Sequence, residues 1–366
     1  MSTADLLYSD TEDALRDSVR RLLVDRCSPE SVAGMYDQAP ADFTGVWKSL
    51  AVDLGLAGLL VPESLGGAGA GAREAAVVME EIGRAVAPVP YLSSAVLATV
   101  ALLKAGDKQT VGALAEGTTT GALVVGLATA PGRFAPSVVR EAGALVGTVT
   151  SVAGAAEADI LIVPVEGPEG LELHIVSAGS AGVTATPVLS LDMTRPLSDV
   201  VFDGAASTRV DDGTAAEAVR AALVSGAALL ASEQLGLAQW CFDTTLAYVK
   251  ERKQFGRAVG SFQAIKHRLA DLWLEVTSAA AAARYAADTS ARGDADAEIA
   301  AVIAQAYCSD VAVHAAEECV QLHAGVGMTW EYPAHLYLKR AKSDQLAFGS
   351  AYRHRAHLAT LIDLPA

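Results

Sequence analysis

Apolar and polar residues alternate along this chain with two periods, and the change of period divides it. From Ser9 to about residue 105 apolar positions recur at helical spacing, with Leu15, Val19, Leu22 and Leu23 on one face. Ser9 and Glu12, placed just before that face, have the spacing of a capping box. The run Gly55-Leu-Ala-Gly-Leu-Leu-Val-Pro62 leads into Gly66-Gly67-Ala-Gly69-Ala-Gly71, too rich in glycine to stay helical, and the helical pattern resumes over 75–85. A loop between helices is expected there. Between about 121 and 207 the pattern becomes that of short strands, over 122–126, 144–150, 159–165, 171–177, 183–189 and 199–202, with Gly, Pro or Asp between them. Antiparallel strands in a small barrel or sandwich follow from this. From Asp211 the helical period returns, with Leu235, Ala238, Phe242, Leu246 and Val249 on one stripe, and the alanine-rich run 278–287 reads as a tightly packed helix. The expected fold is α+β and mostly α, with an N-terminal helical domain over 1–118, a middle β-domain over 119–208 and a C-terminal helical bundle over 209–366.

Composition narrows the function more than the fold. A chain of 366 residues is long enough for about two or three domains. It has no uninterrupted apolar run of the roughly 18 residues that a spanning helix needs, so no membrane partner is expected. Its formal net charge of -16, from 27 Lys+Arg against 43 Asp+Glu, repels a phosphate backbone and argues against nucleic acid. Cys27, Cys241, Cys308 and Cys319 are scattered without CxxC spacing and read as buried thiols of a reducing compartment. The start MSTADLLYSDTEDALRD is acidic where a signal peptide is basic, and a cytoplasmic location is expected.

Few residues announce chemistry by spacing alone. His323 and His335 are too far apart for one helical face, and no HExxH or Cys/His cluster occurs, so no metal is expected. His354 and His357, beside Arg353 and Arg355, read as a solvated helix end. No GxSxG elbow supports a serine nucleophile, and the Gly66–Gly71 loop lacks the strand before it and the GK[ST] after it that a phosphate cradle requires. The informative stretch is 248–267. A helix ending near Lys253 places Arg252 and Lys253 in its last turn, and the break at Gly256 and Gly260 precedes a second helix starting at Ser261. A basic, amide-bearing corner beside a helix N-terminus suits a phosphate or pyrophosphate. A plain helical corner with surface charges fits the same residues.

The residues Glu251-Arg-Lys-Gln-Phe-Gly-Arg-Ala-Val-Gly-Ser-Phe-Gln-Ala264 and Gln321-Leu-His-Ala-Gly-Val-Gly-Met-Thr-Trp-Glu-Tyr-Pro333 resemble the signature pair of the acyl-CoA dehydrogenase family. Pro62-Glu-Ser-Leu-Gly-Gly-Ala-Gly69 and Met79-Glu-Glu-Ile-Gly-Arg84 are similar to its N-terminal pattern. The resemblance spans nearly the whole chain and is weakest in the β-domain. It implies a C-terminal four-helix bundle, a tetramer, and FAD-dependent α,β-dehydrogenation of an acyl-CoA in fatty acid or steroid degradation, with electrons passed to an electron-transferring flavoprotein. It also implies that Arg252, Gln254, Phe255, Gln321 and Gly325 hold the ADP half of an FAD belonging to the neighbouring subunit, with Phe262 and Ile265 on the adenine side. Ala324 stands where the motif's first glycine would be.

Other positions depart from the family pattern. The catalytic glutamate is absent from both places where the family keeps it, which fall on Phe348 and on Gly226-Ala227. Glu233 is the nearest carboxylate to the second. The Thr-Glu-Pro motif is reduced to Thr129-Ala130-Pro131, and Ser151 and Ala153 stand where a Trp and a Thr would face the flavin ring. The catalytic residue is therefore unassigned. The pattern resembles the base-lacking subunit of actinobacterial heterotetrameric members, which completes the FAD site of a second chain. A self-sufficient homotetramer using another base, such as Glu233, and a flavin-free structural paralogue are the alternatives.

Overall fold

The computed structural model describes residues 6–37, 39–132 and 134–364, so the first five residues of the acidic start lie outside it. The N-terminal part is helical: α1 (Asp10–Arg26), α2 (Pro29–Ala33), α3 (Thr44–Lys48), α4 (Ala72–Ala85), α5 (Thr99–Ala105) and α6 (Lys108–Ala115). Ser9 and Glu12 form the expected capping box at α1, and Val19 and Leu23 are buried against the core. The glycine-rich stretch before α4 is a loop with two short 3-10 turns, Leu56–Gly58 and Glu63–Leu65.

The middle part is one eight-stranded sheet of β1 (Gly121–Leu123), β2 (Val138–Glu141), β3 (Ala144–Ala153), β4 (Ile160–Gly167), β5 (Gly170–Ser177), β6 (Val183–Val188), β7 (Leu197–Ala205) and β8 (Thr208–Arg209). Its order is β6-β7-β3-β2-β4-β5-β8, with β1 also beside β4. All six expected strands occur. The expectation of a wholly antiparallel sheet is corrected, because β1 and β2 both run parallel to β4. Neither reaches β4 through a hairpin, and parallel neighbours require such longer connections. Along β4 the side chains alternate: Leu161, Val163 and Val165 join the sheet's own apolar cluster, and Ile162 joins the helical core.

The C-terminal part holds α7 (Ala215–Glu251), α8 (Gln263–Arg292), α9 (Ala297–Leu322), α10 (Ala334–Leu346) and α11 (Ala351–Leu361). Helices α7, α8 and α9 pack on one another, and α10 and α11 both pack on α9. The alanine-rich run lies in α8, with Ala279, Ala283, Ala286 and Ala287 buried. Helices α7 and α9 are long and apolar enough to cross a membrane, but 83% and 72% of their most apolar windows are buried in the fold. Helix α7 also crosses α4 at backbone contact. A Cβ on Gly236 would lie 1.9 Å from the Glu80 carbonyl oxygen, and one on Gly83 would lie 2.0 Å from that of Glu233. Only glycine fits at either place, and this crossing carries Glu233 into the interior where the three parts meet.

Candidate functional site

The corner between α7 and α8 is tighter than its sequence predicts. Helix α7 ends at Glu251, and Arg252 caps it in extended conformation rather than lying in the last turn. Lys253–Gln254 and Arg257–Ala258 then pair as a small hairpin, Val259–Ser261 form a 3-10 turn, and α8 starts at Gln263 rather than Ser261. The hairpin is tied back by Val259 N–H donating to the Arg252 carbonyl at 2.8 Å. Beneath it Val249 of α7, Leu269 of α8 and Leu322 of α9 form a separate apolar cluster, with Tyr248 and Ile265 packed against it. This cluster brings the Arg252–Ile265 segment and the Gln321–Gly325 segment to one end of the bundle.

The residues proposed for cofactor binding differ in how free they are. Arg252, Gln254 and Gln321 are exposed. Neither the Arg252 guanidinium nor the Gln321 amide has a side-chain partner among the described residues, and the Gln254 amide bonds only the Lys253 carbonyl. A Cβ on Gly325 would meet nothing within 4 Å. Phe255 is 89% exposed and holds a φ of 53°, with its ring edge-on to Phe262. The Arg257 guanidinium lies 3.8 Å over the Phe262 ring. Ile265 is half-buried in the apolar cluster, so it supports the corner more than it faces out. Cationic and amide donors on an open surface beside glycine are a donor set that fits a pyrophosphate.

The two places for a catalytic base converge. Phe348 is 1% exposed, and a Cβ on Gly226 would lie 2.8 Å from its ring and 2.7 Å from Leu97. Ala227 and Ala347 are buried beside them. Neither Phe348 nor Gly226-Ala227 carries a group that exchanges a proton. The backbone closes the same region: Phe348 N–H donates to the Leu127 carbonyl at 2.8 Å, and Leu127 N–H donates to the Ser151 carbonyl at 2.9 Å. Ser151 holds a φ of 56° and donates its own N–H to Asp199. This backbone relay ties β3 to the turn between α10 and α11. Ser151 and Ala153, at the end of this relay, carry no aromatic ring.

Glu233 is no base. It is 1% exposed, and its Oε1 accepts from Arg195 and from Arg340, each at 2.6 Å. Burial alone would raise its pKa, but the two guanidiniums hold it below the ordinary carboxylate range. Arg340 also contacts Asp192 at 2.9 Å and donates to the Thr194 carbonyl, while Arg195 lies 3.3 Å from Asp344. Burial, then the charge of Glu233, pushes the Asp344 carboxyl well above its ordinary range, against the pull of Arg195 and Arg340. Two guanidiniums thus face three acidic side chains, Glu233, Asp192 and Asp344. The side chains of Gln234 and Gln305 donate to the Asp344 carbonyl, and Gln305 also to that of Ala347, which fixes the turn entering Phe348.

The histidines depart from expectation at one point. His354 is not at a solvated helix end: it is 2% exposed, and burial pushes its pKa down to about 4. His357 pairs with Glu298 at 3.0 Å. His323 is buried inside the Gln321–Gly325 motif. Among the described residues no group of three or more His, Cys, Asp or Glu is placed to hold a metal, and all four thiols are free and buried. Sequence reasoning missed the Arg195, Arg340, Asp192 and Asp344 set, because these residues are far apart in the chain and no spacing links them.

Residues 9–120 match the acyl-CoA dehydrogenase N-terminal domain, and residues 215–362 match the acyl-CoA dehydrogenase C-terminal domain. The chain is 34% identical over 341 residues to acyl-CoA dehydrogenase IpdE2 of Mycolicibacterium smegmatis, covering 93% of this chain and 95% of that one. It superposes on the ChsE4-ChsE5 complex from Mycobacterium tuberculosis with a TM-score of 0.86 at 26% identity, covering 99% of this chain and all of that one. A variant of the Tcur3481-Tcur3483 steroid ACAD gives a TM-score of 0.85 at 27% identity, over 97% of this chain and 98% of that one. Members of the family are oxidoreductases acting on CH–CH bonds. With both terminal domains matched and a relative aligned over nearly its full length, the chain belongs to the acyl-CoA dehydrogenase family.

Proposed function

We propose that this chain is the completing subunit of a heterotetrameric, FAD-dependent acyl-CoA dehydrogenase. In this reading its partner brings the catalytic glutamate and the flavin contacts, and Arg252, Gln254, Phe255, Gln321 and Gly325 hold the ADP half of the partner's FAD. The observation that carries the reading is the contrast within one molecule: Phe348 and Gly226 are packed together with no carboxylate at either position, while the Arg252 corner is open, with the Arg252 and Gln321 side chains unpaired among the described residues. The exposed apolar residues Phe255, Met328 and Trp330 flank that corner, as expected of a surface that a second chain covers. When bound, the flavin accepts the hydride removed from the substrate. This chain's part is to grip the pyrophosphate by guanidinium and amide donors and to leave proton abstraction to the other subunit. Its structural relatives include a steroid ACAD, and a steroid-derived acyl-CoA is the substrate class we assign. An electron-transferring flavoprotein is the acceptor the family resemblance implies, and a reducing cytoplasm suits four buried free thiols.

The test is flavin counted per subunit by visible absorption, for the chain alone and for the complex purified through it. The expected result is a colourless chain alone and one flavin per pair of chains in the complex. Arg252→Ala should then lower the FAD content of the complex. One flavin per subunit in the isolated chain would overturn the division of labour, and a colourless complex would favour a flavin-free paralogue.

A further inference from the structure

His323 lies inside the Gln321–Gly325 motif but faces inward. Its Nδ1 is 2.7 Å from the Cys319 carbonyl oxygen, which can only accept, so Nδ1 carries the ring proton. Nε2 is left as an acceptor, and Tyr332 donates its hydroxyl proton to it at 2.5 Å. Burial raises the Tyr332 phenol well above its ordinary pKa, which keeps that proton in place. The imidazole face lies on the ring of Tyr248, with centroids 4.2 Å apart. The end of α9, the loop returning through Tyr332 and the last turn of α7 therefore all meet on one side chain.

Each contact leads to a motif. The Tyr248 carbonyl accepts the Arg252 N–H at 2.8 Å, so the placement of Tyr248 sets the turn at which Arg252 leaves α7. The bond from Nδ1 to Cys319 closes the last turn of α9, which carries Gln321 and leads into the 3-10 turn Ala324–Met328 that holds Gly325. The apolar cluster of Val249, Leu269 and Leu322 holds these elements at packing distance. Apolar packing is non-directional, however, and leaves rotation about the helix axes free. Directed hydrogen bonds on both ring nitrogens remove that freedom.

We propose that His323 is a positioning residue for the cofactor corner: through Tyr248 and the Cys319 carbonyl it holds Arg252 in register with Gln321 and Gly325, so that both motifs grip one pyrophosphate. This rests on the proposal that the corner binds the ADP half of a partner's FAD. The test uses the native complex, purified through a tag on this chain, stripped of FAD and titrated with FAD by fluorescence quenching. His323→Leu should weaken FAD binding about tenfold or more, and Tyr332→Phe, which removes one oxygen, about three- to tenfold. In an Arg252→Ala background His323→Leu should cost less than about threefold, because the group it aligns is gone. A purely structural role would give its full penalty in both backgrounds, and that additivity would overturn the proposal. So would wild-type affinity in His323→Leu, or in Tyr332→Phe where the first variant fails to assemble, while Arg252→Ala alone weakens binding. Unchanged affinity in Arg252→Ala would overturn the parent proposal and this one with it.

Discussion

Replacing Glu233 by glutamine tests whether the buried charges work as the geometry states. Glu233 accepts from two guanidiniums at 2.6 Å in a site closed to water. Breaking such a pair typically costs about 3–5 kcal/mol, because the remaining charges stay buried without a counterion. Here Asp344, 3.3 Å from Arg195, is a second acid whose pKa falls once the negative charge of Glu233 is gone, which offsets part of that cost. That places Glu233→Gln near the lower end, about 3 kcal/mol. Asp344→Asn is different, since burial has already raised the pKa of this acid well above the ordinary range, and it should cost less than Glu233→Gln at neutral pH. The signs with pH differ as well. Asp344 has a raised pKa in the fold, so the native state binds more protons than the unfolded chain from the ordinary carboxylate range up to that raised value. Its contribution therefore weakens as pH rises through this window, and Asp344→Asn should flatten the trend. Glu233 has a lowered pKa, so its contribution is present above the ordinary range and is lost as pH falls through the folded value. Urea unfolding of the native assembly, followed by circular dichroism in steps of pH, reads both. The reasoning is refuted if Asp344→Asn is as costly as Glu233→Gln at neutral pH, or if Glu233→Gln is within about 1 kcal/mol of wild type.

Other outcomes follow from the same geometry. Phe348→Glu puts a carboxylate at the family's base position but into packed core against Gly226 and Leu97, so it should lower the melting temperature and yield no dye-coupled dehydrogenation from this chain alone; measurable turnover would mean that the region opens. His354 is buried and neutral with its pKa pushed down to about 4, so the unfolded chain takes up a proton first as pH falls from about 6.5. About 3 kcal/mol of stability should be lost on the way down to pH 4, and His354→Gln should abolish that slope in acid unfolding curves.

What the sequence made legible is what depends on neighbours along the chain. The capping box at Ser9, the apolar stripe through Leu235 and Val249, and the six expected strands are local patterns, and they stand in the structure. Strand β2 was missed because only Val138 of its four residues is buried, which gives no alternation to read. The parallel pairings with β4 depend on connections between strands, which periodicity does not record. At the corner, the motif residues marked the place, but the hairpin from Lys253 to Ala258 that presents them is too short to show a period. His354 looked solvated because its chain neighbours are basic, yet it turns into the core. Glu233 drew attention by its position near a missing base, and its chemistry is set by Arg195 and Arg340, to which nothing in its own segment points.

The missing base is one packing solution rather than two separate losses. The Phe348 ring occupies the space that a side chain at residue 226 would need, and glycine there is what lets the ring enter. A glutamate restored at residue 226 meets the phenyl ring, and one restored at 348 meets an apolar wall sealed by the Leu127 hydrogen bonds. Neither single substitution rebuilds a site for proton abstraction. Along α7, Gly226 and Arg252 are separated by about 39 Å at the rise of an α-helix, further than one FAD reaches. In the proposed reading, Gly226 inside α7 and Arg252 at its C-terminal end therefore belong to different cofactor sites, and closing the first places no demand on the second. If the enzyme is shared as proposed, selection acts on the open corner, where Arg252 and Gln321 are exposed without a side-chain partner among the described residues.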